Sequence, residues 1–181
     1  MENTVIQTPE PSNLSKSEIA SIAECVANQL EYNCGGDIEA IVQKLGGRIL
    51  YQDLWELDSS DSGSIVIKDF DDFEITLALH TTKERDRFTI AHELGHYFLH
   101  YFYPRSNKRN VSYPKIFKAA RYGTGRTETE AHWFAASFLM PEKLFKEEFY
   151  NLEGSYTDLA EKFGVSLSAC KVRAESLKLT D

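Results

Sequence analysis

The chain has 181 residues, 42% hydrophobic and 12% aromatic, which suits a single domain with a real core. Its formal net charge of -8 argues against a nucleic-acid binder, whose affinity rests on a basic surface, and no apolar run approaches the roughly 18 residues that span a bilayer. Three scattered cysteines (Cys25, Cys34, Cys170) and an N-terminus without a basic start or apolar core predict a cytoplasmic protein with reduced thiols and no secretory signal.

Residues 1–14 are polar, contain two prolines and predict a disordered tail. Ser15-x-x-Glu18 reads as a capping box opening a helix to about Gln29. A short helix follows with Ile38, Ile41, Val42 and Leu45 on one face, stopped by Gly46-Gly47. "RILYQDLW" reads as a strand, and "GSIVIKDF" and "FEITLAL" as a hairpin joined at Asp71-Asp72. Thr81-x-x-Glu84 reads as a second capping box. The helix it opens runs to Phe102, where Pro104 prevents its continuation. Residues 103–126 read as a long irregular loop with room for a short helix at "KIFKAA". Helices are then expected at about 127–139, from Pro141 through "PEKLFKEEFYN", and as a helix–turn–helix around Gly164.

The long helix carries "FTIAHELGHYFLH", with His92-Glu93-x-x-His96 at its centre. Side chains four apart on a helix point the same way, so two imidazoles can meet one ion. Zinc accepts neutral imidazole nitrogen, and a catalytic zinc keeps three protein ligands and an open position for water. Glu93, one residue past the first histidine, projects beside such an ion and suits a general base. Chance alone would place these letters in roughly one comparable chain in a hundred. The apolar flanks Phe88, Ile90, Ala91, Phe98 and Leu99 bury the helix, and buried histidines need partners. Gly95 lowers helix propensity by about 1 kcal/mol, which points to a packing reason for it.

The third ligand has several candidates. His100 lies one turn on, but ligands at i, i+4 and i+8 of one straight helix do not close comfortably around one ion. "TETEAHWFAASFLMP" offers Glu128 and Glu130 on a second helix. Its apolar face is set by Ala131, Phe134, Ala135, Phe138 and Leu139. Glu128 lies near that face and Glu130 mostly away from it, so Glu128 is the preferred ligand. His132, four residues past Glu128, stands where a polar group could orient a ligand histidine. Acids at a helix N-terminus are also favoured by the macrodipole alone.

"RFTIAHELGHYFLH" followed by "ETEAHWFAASFLMP" resembles the ImmA/IrrE family of metallopeptidases. The likeness extends to the lead-in "IEAIVQKLGGRILYQDL" and to "LAEKFGVSLSACKVRAESLKL", covering most of residues 36–179. His92 and His96 match the family's zinc ligands, Glu93 its general base, and Glu128 or Glu130 its third ligand. The chain departs from the family at His132, where Asn or Asp is usual, which puts the orienting role there in doubt. The resemblance implies a cytosolic zinc endopeptidase that cuts a helix-turn-helix repressor and so derepresses genes.

Other features are weighed against this reading. Residues 94–127 hold no Asp or Glu but seven Lys/Arg, from Arg105 to Arg126, which reads first as a solvated loop and second as a dock for an acidic segment. The C-terminal helix pair, with Ser166 as N-cap, is shaped like a DNA reader but carries four Lys/Arg against five Asp/Glu after residue 150. One of Tyr97, Tyr101, Tyr103, Tyr113 and Tyr122 could stabilise an oxyanion. Arg87 reads as an internal partner or a substrate contact.

The predicted fold is α+β: a small, mostly antiparallel sheet packed on helices, with a gluzincin-like zinc site between two helices. Residues 15–150 would form the peptidase domain, with 151–181 as helices packed on it. The predicted function is a Zn2+-dependent endopeptidase. A DNA-binding or scaffold regulator with a structural zinc site is the alternative.

Overall fold

Ser15 opens the first helix of the computed structural model, which describes residues 6–53, 63–107, 114, 116–120 and 125–180. The capping box forms: the Ser15 N–H donates to Glu18 Oε2 at 2.8 Å while Ser15 Oγ accepts the Glu18 N–H. Helix α1 (Lys16–Gln29) buries Ile19, Ala23 and Ala27 on one face. Helix α2 (Ile38–Lys44) is capped by Asp37 and ends at Gly46, whose φ of +84° suits glycine. A Cβ there would also lie 2.3 Å from the Asp71 carbonyl oxygen, so the helix stop doubles as a close approach to the hairpin turn.

Among the described residues the sheet has five strands: β1 (Ile6–Gln7), β2 (Gly47–Gln52), β3 (Gly63–Asp69), β4 (Asp72–Ala78) and β5 (Ile116–Ala120), in the order β1-β5-β3-β4-β2. The β3–β4 hairpin and the β3–β5 pair are antiparallel, and the two outer pairs are parallel, so the sheet is mixed with an antiparallel centre. Ile65, Ile67, Phe73, Ile75, Leu77, Phe117 and Ala119 are buried at alternate positions, which places the core on one face of the sheet.

Helix α3 (Lys83–Gly95) packs on that face and runs into a π-helical segment (His96–Phe102), then α4 (Tyr103–Asn107). Helices α5 (Arg126–Leu139) and α6 (Glu142–Asn151) follow, then α7 (Tyr156–Phe163) and α8 (Leu167–Ser176). Leu159, Phe163, Cys170 and Ala174 from the last two helices, and Val165 between them, join the same core as the sheet residues. Gly164 turns the chain between them with a φ of +62°, and Ser166 caps α8 by accepting the Ala169 N–H at 3.1 Å. Among the described residues, no helix is long and apolar enough to cross a membrane.

Several local expectations are corrected. The N-cap of α3 is Thr82, which accepts the Arg85 N–H; Thr81 instead bonds the Ala78 carbonyl and the Asp86 carboxylate. Pro104 does not end the helical run. It is the second residue of α4, directly after the π-helical segment, and the run continues to Asn107 although Pro104 can donate no backbone hydrogen bond. "KIFKAA" is strand, not helix: from Ile116 it pairs with β3 and buries Phe117 and Ala119 either side of exposed Lys118. From residue 6 onward, the expected disordered tail is ordered. Ile6 and Gln7 pair with β5, Gln7 accepts from Arg105 at 2.8 Å, and Ser12 and Leu14 bond α5. Beyond Asp53, the strand expected at "RILYQDLW" lies outside the described residues.

Candidate metal centre and its surroundings

Glycine at position 95 sets the spacing of the site. A Cβ on Gly95 would lie 3.0 Å from Ala131 Cα and 3.1 Å from the Ala131 carbonyl oxygen. A side chain there would be tighter than ordinary contact, so glycine suits this close approach of α3 to α5. The approach brings a carboxylate of α5 to two imidazoles of the α3 stem.

His92 Nε2 lies 3.1 Å from Glu128 Oε2, His96 Nε2 lies 3.2 Å from Glu128 Oε1, and the two Nε2 atoms are 3.2 Å apart. Donor atoms of His92, His96 and Glu128 all lie within 4.8 Å of one another, and the group could hold a metal ion. Three donors placed tetrahedrally at about 2.0–2.1 Å from a zinc ion would stand roughly 3.3 Å apart, so the observed separations fit. The donor chemistry, two imidazoles and one carboxylate, also fits zinc with a position left for water. Both histidines are buried, and the Glu128 side chain keeps 16% exposure, so the group is reached from the Glu128 side. Burial alone would raise the Glu128 carboxyl. Its contacts with the His92 and His96 imidazoles outweigh it and hold the group well below the usual carboxylate range. Glu93 follows His92 on the same helix and is also buried, at 1% exposure.

Glu130 is not the solvent-facing residue that its helical angle suggests. It has no exposed surface and meets the other side of the stem. His96 Nδ1 stands 3.0 Å from His100 Nδ1, and His100 Nε2 stands 3.1 Å from Glu130 Oε2. Glu130 also accepts from the Ser12 N–H and hydroxyl, each at 2.8 Å, and from Arg126 Nε at 2.8 Å. Burial works to raise the Glu130 carboxyl, but Arg126, Ser12 and His100 prevail and hold it below its ordinary value. Burial, aided by His96, pushes His100 down to about 4, which keeps it neutral. Glu130 is buried against its helical angle because Arg126, Ser12 and His100 together neutralise and bond it. One signal was present: Arg126 stands four residues before Glu130, the spacing of a helix ion pair.

His132 stays outside the metal group. Its Nδ1 is 2.8 Å from the Glu128 carbonyl oxygen, and its exposed ring stands edge-on to His92 at 4.6 Å between centroids. Arg87 is an internal tie, donating to the carbonyls of Gly164 and Gly36 at 2.8 and 2.5 Å and to the Tyr32 hydroxyl at 2.7 Å. Tyr97 donates to the Phe70 carbonyl at 2.6 Å, and Tyr101 lies beneath the Arg105 guanidinium at 3.7 Å. Both tyrosines are buried. Tyr113 and Tyr122 lie outside the described residues, as do Lys108, Arg109, Lys115 and Arg121 of the basic stretch. Of the remaining cations in that stretch, Arg105 and Arg126 bond within the protein and Lys118 is exposed on β5.

A histidine pair facing a carboxylate on another helix, beside the sheet, is an arrangement that could hold a metal ion, and the family match makes this a metallopeptidase-like domain. The chain belongs to the ImmA/IrrE family, since the Peptidase_M78 profile, described as the IrrE N-terminal-like domain, matches residues 61–175. No curated protein matches it. Among solved structures, a Mycobacterium tuberculosis transcriptional regulator shares the fold, with a TM-score of 0.61 at 18% identity. The alignment covers 91% of this chain and 48% of that one, so this chain spans about half the length of the regulator.

Proposed function

We propose that the protein is a zinc-dependent endopeptidase. The observation that carries this is the convergence of His92, His96 and Glu128 within 4.8 Å of one another, in a chain of the Peptidase_M78 family. In this reading His92, His96 and Glu128 are the zinc ligands and Glu93 is the general base. When bound there, zinc supplies Lewis acidity, which polarises a peptide carbonyl and acidifies a nearby water. Glu93 takes a proton from that water as its oxygen adds to the carbonyl carbon. It returns the proton to the amide nitrogen as the C–N bond breaks, leaving a carboxylic acid and an amine. The opening beside Glu128 is where the peptide enters. Residues 15–150 carry the chemistry, and α7 and α8 support it from below.

The family resemblance supports a substrate class, and the likeness to a protein named as a transcriptional regulator is compatible with it. Both support a regulatory target, a cytoplasmic helix-turn-helix repressor whose cleavage derepresses genes. The test is incubation with the repressor encoded nearest to this chain's gene, with and without chelator, followed by mass spectrometry of the products. Zinc-dependent cleavage that disappears in Glu93→Gln is expected. Intact repressor in both arms would remove this substrate.

The alternative is a DNA-binding or scaffold regulator without turnover, favoured by the helix–turn–helix shape of α7 and α8. Arg173 weighs against DNA reading by α8, because it is buried and donates to the Met140 carbonyl at 3.0 Å. Full biological activity of Glu93→Gln would favour the regulator.

A further inference from the structure

His96 has two ring nitrogens with different neighbours. Nε2 faces His92 and Glu128, and Nδ1 faces His100. A histidine binds metal through a nitrogen that carries no proton, so what stands at the other nitrogen decides whether Nε2 is available. The bonding partners fix the answer from the far end. Glu130 is a carboxylate and only accepts. It already accepts twice from Ser12 and once from Arg126, so the 3.1 Å contact with His100 requires a proton on His100 Nε2. A neutral His100 protonated at Nε2 has a bare Nδ1, which accepts. A metal on His96 Nε2 needs that nitrogen bare and the ring proton on Nδ1, and the 3.0 Å contact lets His100 Nδ1 accept that proton.

We propose that Glu130 and His100 are positioning residues that set the tautomer of His96 for metal binding, and that Ser12 of the N-terminal segment completes this relay. The inference rests on the reading of His92, His96 and Glu128 as a zinc site, and it adds a reason for the order of residues 6–14. Ser12 supplies both a backbone and a hydroxyl donor to the acid at the far end, from 118 residues away in sequence. The π-helical segment contributes too. Its wider turn begins at His96, and π-helical turns inside helices often mark functional sites. Partners of this kind typically contribute 10–100-fold to metal affinity.

The test is zinc affinity of the full chain by competition with a chromophoric chelator, alongside the visible spectrum of the cobalt-substituted protein. His100→Leu is expected to bind zinc about 10–100-fold more weakly, with unchanged helical circular dichroism and a shifted cobalt band. His100→Gln, whose amide can accept from His96 and donate to Glu130, is expected to recover part of the loss. Glu130→Gln should weaken binding less than His100→Leu, and Ser12→Ala least, since its backbone N–H remains. Affinity within twofold of wild type in folded His100→Leu would overturn the relay. If that variant does not fold, Glu130→Gln decides: weaker zinc binding supports the relay and unchanged binding overturns it. A wild-type chain that binds no zinc at all would instead refute the metal centre itself.

Discussion

Two polar clusters meet at His96, one on each side of its ring. On the Nε2 side, His92, His96 and Glu128 bring three atoms able to ligate a metal within 3.1–3.2 Å of one another, and Glu128 remains partly exposed. On the Nδ1 side, His100 and Glu130 are sealed, and each contact has a donor for its acceptor. Three such atoms this close need a cation or protons between them, whereas a satisfied buried network is stable as it stands. The first cluster therefore reads as a place for an ion and the second as the frame that aims it. Two glutamates two residues apart on α5 thus do different work, separated by what surrounds them.

The contrast is broken most strongly at Glu93. Glu93→Gln should lower the rate of peptide cleavage by roughly 10²–10⁴-fold while zinc affinity stays at the wild-type value. Cleavage kinetics set beside metal competition measure both, and an unchanged rate would exclude Glu93 as the base. The next largest effect separates the two glutamates directly. Glu128→Ala removes a ligand and should weaken zinc binding by more than the 10–100-fold expected of the frame. Equal losses for Glu128→Ala and Glu130→Gln would erase the distinction between the clusters.

Gly95→Ala acts on both sides at once. Its methyl would press on Ala131 at 3.0–3.1 Å, and overpacking of this kind costs about 1–3 kcal/mol. The roughly 1 kcal/mol gain in helix propensity offsets part of that. Urea unfolding should show a net loss of stability, and a net gain would mean that the two helices can move apart freely. The smallest effect concerns sealing in general. Burial pushes the Cys170 thiol up to about 11, while Cys25 is exposed. At pH 8 a thiol reagent should modify Cys25 quickly and Cys170 only after unfolding. Rapid modification of Cys170 would show that the core beneath α8 is open.

Much of the inner cluster was legible in sequence. The four-residue histidine spacing, the glutamate beside it and the apolar face of α5 are local patterns, and they led to the residues that the fold brings together. The capping box at Ser15, the hairpin and the stop at Gly46 are equally local. What escaped was set by distant partners. Glu130 reads as a surface acid until Ser12, 118 residues away, donates to it. The N-terminal segment reads as a tail until β5 and α5 offer it hydrogen bonds. Strand β5 is too short for its alternation to stand out beside a helical reading, and pairing with β3 settles its form. The packing reason for Gly95 was anticipated, but its partner, Ala131, emerged only from the fold.

The central claim is that His92, His96 and Glu128 hold one catalytic zinc. The most direct measurement is metal content by mass spectrometry after loading with zinc and dialysis, for the wild type, Glu93→Gln and the double variant His92→Ala, His96→Ala. One zinc per chain is expected in the first two and none in the third. Zinc retained by the double variant at the wild-type ratio would contradict it.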